Sequence, residues 1–239
     1  MTTDRKAELA ENLAEVEERI ADACRAAGRA REEVKLIAIT KTFPASDVAL
    51  LAELGVTDVG ENRDQEAGPK AAEVAAAGLR WHMVGRLQRN KARSVVGWAH
   101  EVQSVDSARL ADALAKAVHT ERYTGKREEP LDVLIQVSLD DDPERGGCPL
   151  PELDALAEHI ARAEELRLRG LMAVAPLATD PAVAFERLAR AGEGLRKDHP
   201  NAAAVSAGMS HDLEQAITHG STCVRVGTAL LGGRGLASP

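Results

Sequence analysis

The stretch "VKLIAITKTFPASDVALLAEL" (34–54) decides how the chain is read. Residues 34–40 form a short apolar run with branched side chains, the pattern of a buried strand. Residues 45–54 read as a helix. Between them, where the apolar run stops, stands Lys41. Either Lys41 is the point at which the chain reaches solvent, or it is a reactive amine held at the rim of a core.

The same strand-then-helix unit recurs along the chain. Strands are predicted at 56–60, 80–85, 99–105, 131–139, 166–174, 203–208 and 222–231. Helices are predicted at 64–77, 87–96, 107–119, 151–165, 181–197 and 211–219. Ahead of the first unit, Leu9, Leu13, Val16 and Ile20 recur at helical spacing, so an amphipathic helix is predicted over about residues 4–27, with Gly28 as its stop. Eight strands alternating with helices imply a parallel sheet. It could lie open or close into a (β/α)8 TIM barrel. The barrel is the expected fold, as one domain over 1–239. The count matches, and polar residues follow many different strands, whereas an open sheet would gather them at one switch point.

Composition narrows the function classes. The chain of 239 residues is 44% hydrophobic but only 2% aromatic, and its formal net charge is -8. Diffuse acidity argues against general nucleic-acid or anionic-membrane binding, and the scarcity of aromatics against a base-stacking platform. Cys24, Cys148 and Cys223 are far apart and form no CxxC pair, so neither a disulfide framework nor a metal site is expected. No secretory h-region and no membrane-length apolar run occurs, and the expected location is cytoplasmic. The loop "DDDPERGG" (140–147) lacks the spacing of a calcium loop and reads as solvated.

In a barrel, the residues after each strand share one face. Lys41, Asn62, His82, Ser206, Met209, Ser210, Arg225, Gly227 and Thr228 fall there. "SAGMSHDLEQAI" (206–217) is a glycine-containing turn ahead of a helix. It could cradle a phosphate, or Ser210 could simply cap that helix. Arg225 lies inside an apolar strand, where a charge is costly unless paired or ligated; otherwise it points out between helices. A lysine, a phosphate turn and an arginine on one face fit pyridoxal 5′-phosphate, PLP.

These motifs carry a resemblance. "LIAITKTF" (36–43), "GENRDQE" (60–66), "WHMVGRLQRNK" (81–91), "RGLMAVAP" (169–176), "SAGMSHDLEQAI" and "VRVGTALLG" (224–232) resemble the YggS/PROSC family of PLP homeostasis proteins over nearly the whole chain. The resemblance implies an alanine racemase-like barrel carrying PLP as a Schiff base on Lys41. It places Asn62 beside the ring, Arg225 at the pyridine nitrogen, and Ser210, Gly227 and Thr228 on the phosphate, with Met209 and Ser206 in that turn. It sets His82 below or beside the cofactor. It further implies a monomer that carries or regulates PLP, with transient contact to PLP-dependent apoenzymes. The family commonly has methionine at the position of Ala207, and asparagine, glutamate and lysine near Ser138, Asp142 and Arg145.

A PLP-dependent amino-acid racemase is the alternative. Racemisation needs an acid/base on each face of the substrate. In the related racemases the second base is a tyrosine from a further domain, which this chain is not expected to supply. Its one tyrosine, Tyr123, precedes the fifth strand and belongs to the opposite end of a barrel. Cys148 is on the right side to substitute. A barrel acting on a phosphorylated carbonyl metabolite through Lys41 is a third possibility.

Overall fold

The computed structural model describes residues 2–140 and 146–233. The chain opens with α1 (Thr2–Ala26) and then alternates β1 (Lys35–Ile39), α2 (Ala45–Glu53), β2 (Asp58–Glu61), α3 (Asp64–Glu73), β3 (Arg80–Met83), α4 (Ala92–Val96), β4 (Glu101–Val105) and α5 (Ala108–Tyr123). It continues with β5 (Leu131–Gln136), α6 (Leu153–Ala161), β6 (Leu166–Met172), α7 (Pro181–Asp198), β7 (Ala204–Ser206), α8 (Leu213–Thr218), β8 (Cys223–Val226) and a last turn, α9 (Thr228–Leu231). The strands pair in parallel in sequence order, and β8 returns to β1 through Leu36 opposite Val224 and Ala38 opposite Val226. The expected TIM barrel is therefore closed.

Outward-facing strand residues pack under the helices. On one side Val102, Val133, Ile135 and Leu171 meet Leu114, Ile160 and Phe185. On the other Ala38, Val59, Val224 and Val226 meet Val48, Leu51, Leu213 and Leu230. Each fully buried aliphatic side chain contributes roughly 1.5–3 kcal/mol.

The opening helix belongs to that second cluster. After β8 the chain builds only the four-residue α9, too short to cover β8 and β1. Leu9, Val16 and Ile20 of α1, all essentially buried, close the gap. Arg5 ties the helix down by bonding Asp47 on α2 at 2.8 Å and the Leu231 carbonyl at 2.9 Å.

Most strands end earlier than the apolar runs suggest, because residues at the rim leave the ladder to build the site. The clearest correction is the last strand. It stops at Val226, and Thr228–Leu231 is a helical turn rather than a continuation of the strand. The predicted loop after β5 falls largely on 141–145, outside the described residues, as do Asp142 and Arg145.

The barrel interior is unusually polar. Ile37, Ile39 and Cys223 form a small apolar patch. Beside it Ser206 on β7 bonds Gln103 on β4 at 2.7 Å. Strands this far apart in a closed barrel can meet only across its lumen.

Candidate cofactor site

A cavity of about 300 Å³ opens at the C-terminal ends of the strands. Lys41, Asn62, Met209, Ser210, Arg225, Gly227 and Thr228 line it, so seven of the nine expected residues come together. They arrive from four strand ends, those of β1, β2, β7 and β8. Lys41 follows β1, and its neighbour Thr42 has φ 68, a left-handed conformation costly for a threonine. Behind that turn, Lys70 on α3 donates to the Thr40 carbonyl at 2.9 Å and to Glu61 Oε1 at 2.6 Å. Thr40 also donates to Glu61 Oε1, at 2.6 Å. This buried ion pair anchors the strand end from which Lys41 projects.

The turn after β7 passes through Gly208 at φ 93, where an added Cβ would come within 2.7 Å of Ala216. A glycine here lets the turn lie against α8. Ser210 does not cap that helix. Asp212 occupies the N-cap position, with its carboxylate 2.6 Å from the Met209 amide nitrogen. The Ser210 hydroxyl makes no hydrogen bond among the described residues, and its carbonyl is held by Arg19 of α1 at 3.0 Å. Opposite, the first amides of α9, those of Thr228 and Ala229, have no partner within their own turn. Ser210 and Thr228 both line the cavity, so free donors from two turns reach it.

Arg225 is 5% exposed and points inward. Nη1 donates to the Ser206 carbonyl at 2.8 Å and to Ser206 Oγ at 2.7 Å, and Nη2 donates to the Ala173 carbonyl at 2.9 Å. Burial pulls its pKa below the ordinary arginine value, with Cys223 and Asp212 opposing. The reading of an arginine directed out between helices is excluded.

His82 and Ser206 lie deeper than the other seven. Neither lines the cavity. Ser206 is fully buried beneath it, as the acceptor for Arg225. His82, 1% exposed, sits deeper, with Nε2 2.8 Å from Asp58 and Nδ1 3.0 Å from Glu101. Burial alone would lower its pKa, but the hydrogen bonds to Asp58 and Glu101 and their charges outweigh burial and raise it. Burial pushes both carboxyls up, and the bonds from His82 more than compensate, so both end below their ordinary values. In a parallel barrel, alternate residues of one strand point into the lumen at different depths, so a residue still within its strand need not reach the rim.

The cavity also takes in Ile39, Thr42, Phe43, Val84, Val174 and His211, which the reading of motifs did not single out. Val84 immediately follows β3, and Val174 comes two residues after β6. Strand position was the signal available for them, but apolar residues carry no chemical mark. Cys148 is buried away from the cavity, and burial pushes its thiol up to about 11. Tyr123 ends α5, at the opposite end of the barrel, and is exposed.

Residues 10–235 match the family described as "Alanine racemase, N-terminal domain". The chain is 50% identical to the pyridoxal phosphate homeostasis protein of Mycobacterium tuberculosis (strain ATCC 25618 / H37Rv), over 99% of this chain and 96% of that protein. The structure of PipY from Synechococcus elongatus PCC7942 with PLP bound superimposes with a TM-score of 0.79 at 32% identity, covering 94% of this chain and 100% of PipY. The alanine racemase of Corynebacterium glutamicum shares the fold alone, with a TM-score of 0.68 at 16% identity over 98% of this chain and 62% of the racemase. By sequence and by fold, the chain belongs to the alanine racemase N-terminal domain family, among the proteins named pyridoxal phosphate homeostasis proteins.

Proposed function

We propose that this protein holds PLP as a Schiff base on Lys41 and acts as a carrier or regulator of the cofactor. The observation that carries the reading is the convergence in one cavity of a half-buried primary amine, unpartnered donors at Ser210 and Thr228, and a buried guanidinium. PLP supplies an aldehyde to condense with an amine, a dianionic phosphate and a pyridine ring. The donor set fits each part. Ser210 and the amides of Thr228 and Ala229 would donate to the phosphate, Asn62 and Val84 would flank the ring, and Arg225 would donate to the ring nitrogen. Because a guanidinium can only donate, it favours an unprotonated ring nitrogen, which makes the cofactor a poorer electron sink.

Absence of robust catalysis is part of the proposal. Neither Tyr123 nor Cys148 reaches the cavity, so neither can serve as a second acid/base opposite Lys41. His211 lines the cavity but belongs to the same turn as Ser210, on the phosphate side. The relatives carry a homeostasis name rather than an enzyme name. A cavity that opens at the rim suits uptake and release of PLP, including hand-over to apoenzymes. Among the described residues no helix is long and apolar enough to cross a membrane, and a cytoplasmic protein acting as a monomer remains our reading.

The test is the absorbance of the protein mixed with PLP, before and after borohydride, beside Lys41→Ala. A band near about 420 nm that borohydride fixes to Lys41, absent in the variant, is expected. Identical spectra of free PLP in both proteins would sink the proposal. D- and L-amino acids incubated with the loaded protein test for turnover, and rapid racemisation would return the chain to the enzyme reading.

A further inference from the structure

A single chain of hydrogen bonds leads from the cavity floor through the barrel, and donor and acceptor chemistry gives it one direction. Arg225 Nη1 lies 2.7 Å from Ser206 Oγ. A guanidinium has only N–H groups to give, so Ser206 accepts there. The serine's own proton then goes to Gln103 Oε1, at 2.7 Å. That leaves the amide's nitrogen end to donate to Glu101 Oε1, at 2.8 Å. The same carboxylate oxygen faces His82 Nδ1 at 3.0 Å, closer than Gln103 Nε2 at 3.4 Å, and a bare nitrogen lone pair against a carboxylate would be repelled, so Nδ1 carries a hydrogen. His82 Nε2 faces Asp58 Oδ1 at 2.8 Å, and that oxygen also accepts from Lys35 at 3.0 Å. With Asp58 ionised, Nε2 carries a hydrogen too, and His82 is an imidazolium between two carboxylates.

We infer that Gln103, Glu101 and His82 are positioning residues for Arg225. Their chain fixes the Ser206 proton on Gln103 and so holds the serine's lone pair toward Nη1, and with the Ser206 and Ala173 carbonyls this leaves one orientation for the guanidinium. In that orientation both Nη1 hydrogens and one Nη2 hydrogen are used. The Nε hydrogen and the second Nη2 hydrogen have no partner among the described residues, and Arg225 lines the cavity. They are the donors available to a ring nitrogen. Gln103 is the junction, because its amide in this orientation both accepts from Ser206 and donates to Glu101. The inference deepens the proposed function and rests on it wherever PLP is the readout.

Two variants test it. Gln103→Leu removes both halves of the bridge. Gln103→Glu keeps the acceptor toward Ser206 and, while protonated, the donor toward Glu101. The charged and titratable groups around that position are Glu101, with Arg80 3.9 Å from its second oxygen, His82, Asp58, Arg225 and the Cys223 thiol. Glu101 is the immediate neighbour, so ionising a second carboxyl there sets like charges together.

Folded Gln103→Leu is expected to bind PLP about 10-fold more weakly, about 1.4 kcal/mol. The nitrogen-15 resonance of ring-labelled PLP should also move from its position in the parent. Gln103→Glu is expected to match the parent at low pH and to lose affinity relative to it as pH rises. That pH-dependent rescue is something a merely structural role would not produce. Parent-like affinity and ring-nitrogen resonance in Gln103→Leu overturn the inference, as does a Gln103→Glu to parent affinity ratio that is flat with pH. If Gln103→Leu does not fold, Gln103→Glu decides. If the parent takes up no PLP, the proposed function has failed instead. The ring nitrogens of His82 in the ligand-free protein then decide the relay: imidazolium shifts held through neutral pH support it, and an ordinary titration overturns it.

Discussion

Replacing Lys70 by methionine tests the anchor behind Lys41. Lys70 is 8% exposed and Glu61 is fully buried, and their charges meet at 2.6 Å. Glu61 Oε1 is shared with the Thr40 hydroxyl, while Oε2 has no hydrogen-bond partner. The pair therefore has one compensating cation and no reserve. Lys70→Met keeps the aliphatic stem but leaves a carboxylate in the core without its cation, at a cost of roughly 3–5 kcal/mol. A domain of this size commonly holds about 5–15 kcal/mol, so the loss is a large fraction of the total. At about 2–4 °C per kcal/mol, the melting temperature should fall by roughly 6–20 °C. Calorimetry or thermal circular dichroism of the ligand-free protein reads this directly. The double variant Glu61→Leu with Lys70→Met replaces the ion pair by apolar groups and should recover most of the loss, short of what the Thr40 hydroxyl forfeits. Lys70→Met should also release PLP faster, because the Thr40 carbonyl beside Lys41 loses its donor. An unchanged melting temperature in Lys70→Met, or a double variant less stable than the single one, would refute the reasoning.

Three further outcomes are expected. Gly85→Ala places a Cβ 2.3 Å from the Asn62 carbonyl oxygen and 2.7 Å from its Cα, contacts with backbone that no rotamer relieves. It should lower both stability and PLP affinity, measured by melting and by titration at the Schiff-base band; a neutral substitution would contradict the close approach of these two loops. Stability should also depend on pH in two limbs set by the interior network. The raised His82 pKa contributes fully below the ordinary imidazole value of about 6.5, and its contribution is lost as pH rises through the folded value. The lowered pKa values of Asp58 and Glu101 contribute fully above the ordinary carboxylate range near about 4, and are lost as pH falls through the folded values. Urea midpoints should therefore be highest between about pH 5 and 6.5, with His82→Gln removing the alkaline limb; an alkaline limb that His82→Gln shares unchanged would count against the assignment. Lys41→Ala should keep the fold and the melting temperature of the ligand-free parent while losing the covalent chromophore, since Lys41 makes no hydrogen bond or ion pair among the described residues; an unfolded variant would mean that the amine is structural.

The closed barrel was legible in the sequence because each β/α unit carries its own local pattern. Apolar runs such as 34–40 and 131–139 are short and rich in branched side chains, and the helices between them have one apolar face. The resemblance then pointed to Lys41, Asn62, Met209, Ser210, Arg225, Gly227 and Thr228, and the cavity unites them. All but Arg225, which lies within β8, sit just past strand ends, and a parallel barrel sends every such position to one face. Depth within the lumen was not legible. His82 and Ser206 stand near the ends of apolar strands like their neighbours, yet both are sunk below the cavity. Their depth depends on strand tilt and on pairing across the barrel, which links residues as distant in sequence as Gln103 and Ser206. The end of β8 was equally hidden. "VRVGTALL" (224–231) is apolar apart from Arg225 and Thr228, and a continuing strand and a turn of helix are both compatible with it. What the sequence by itself determined is the order of the elements and the chemical kinds gathered at one rim, because both follow from local periodicity and strand polarity. Only the tertiary structure decided which polar residues face the cavity and which hold it from below, because that division is set by closure of the barrel and by the donors and acceptors that meet inside it.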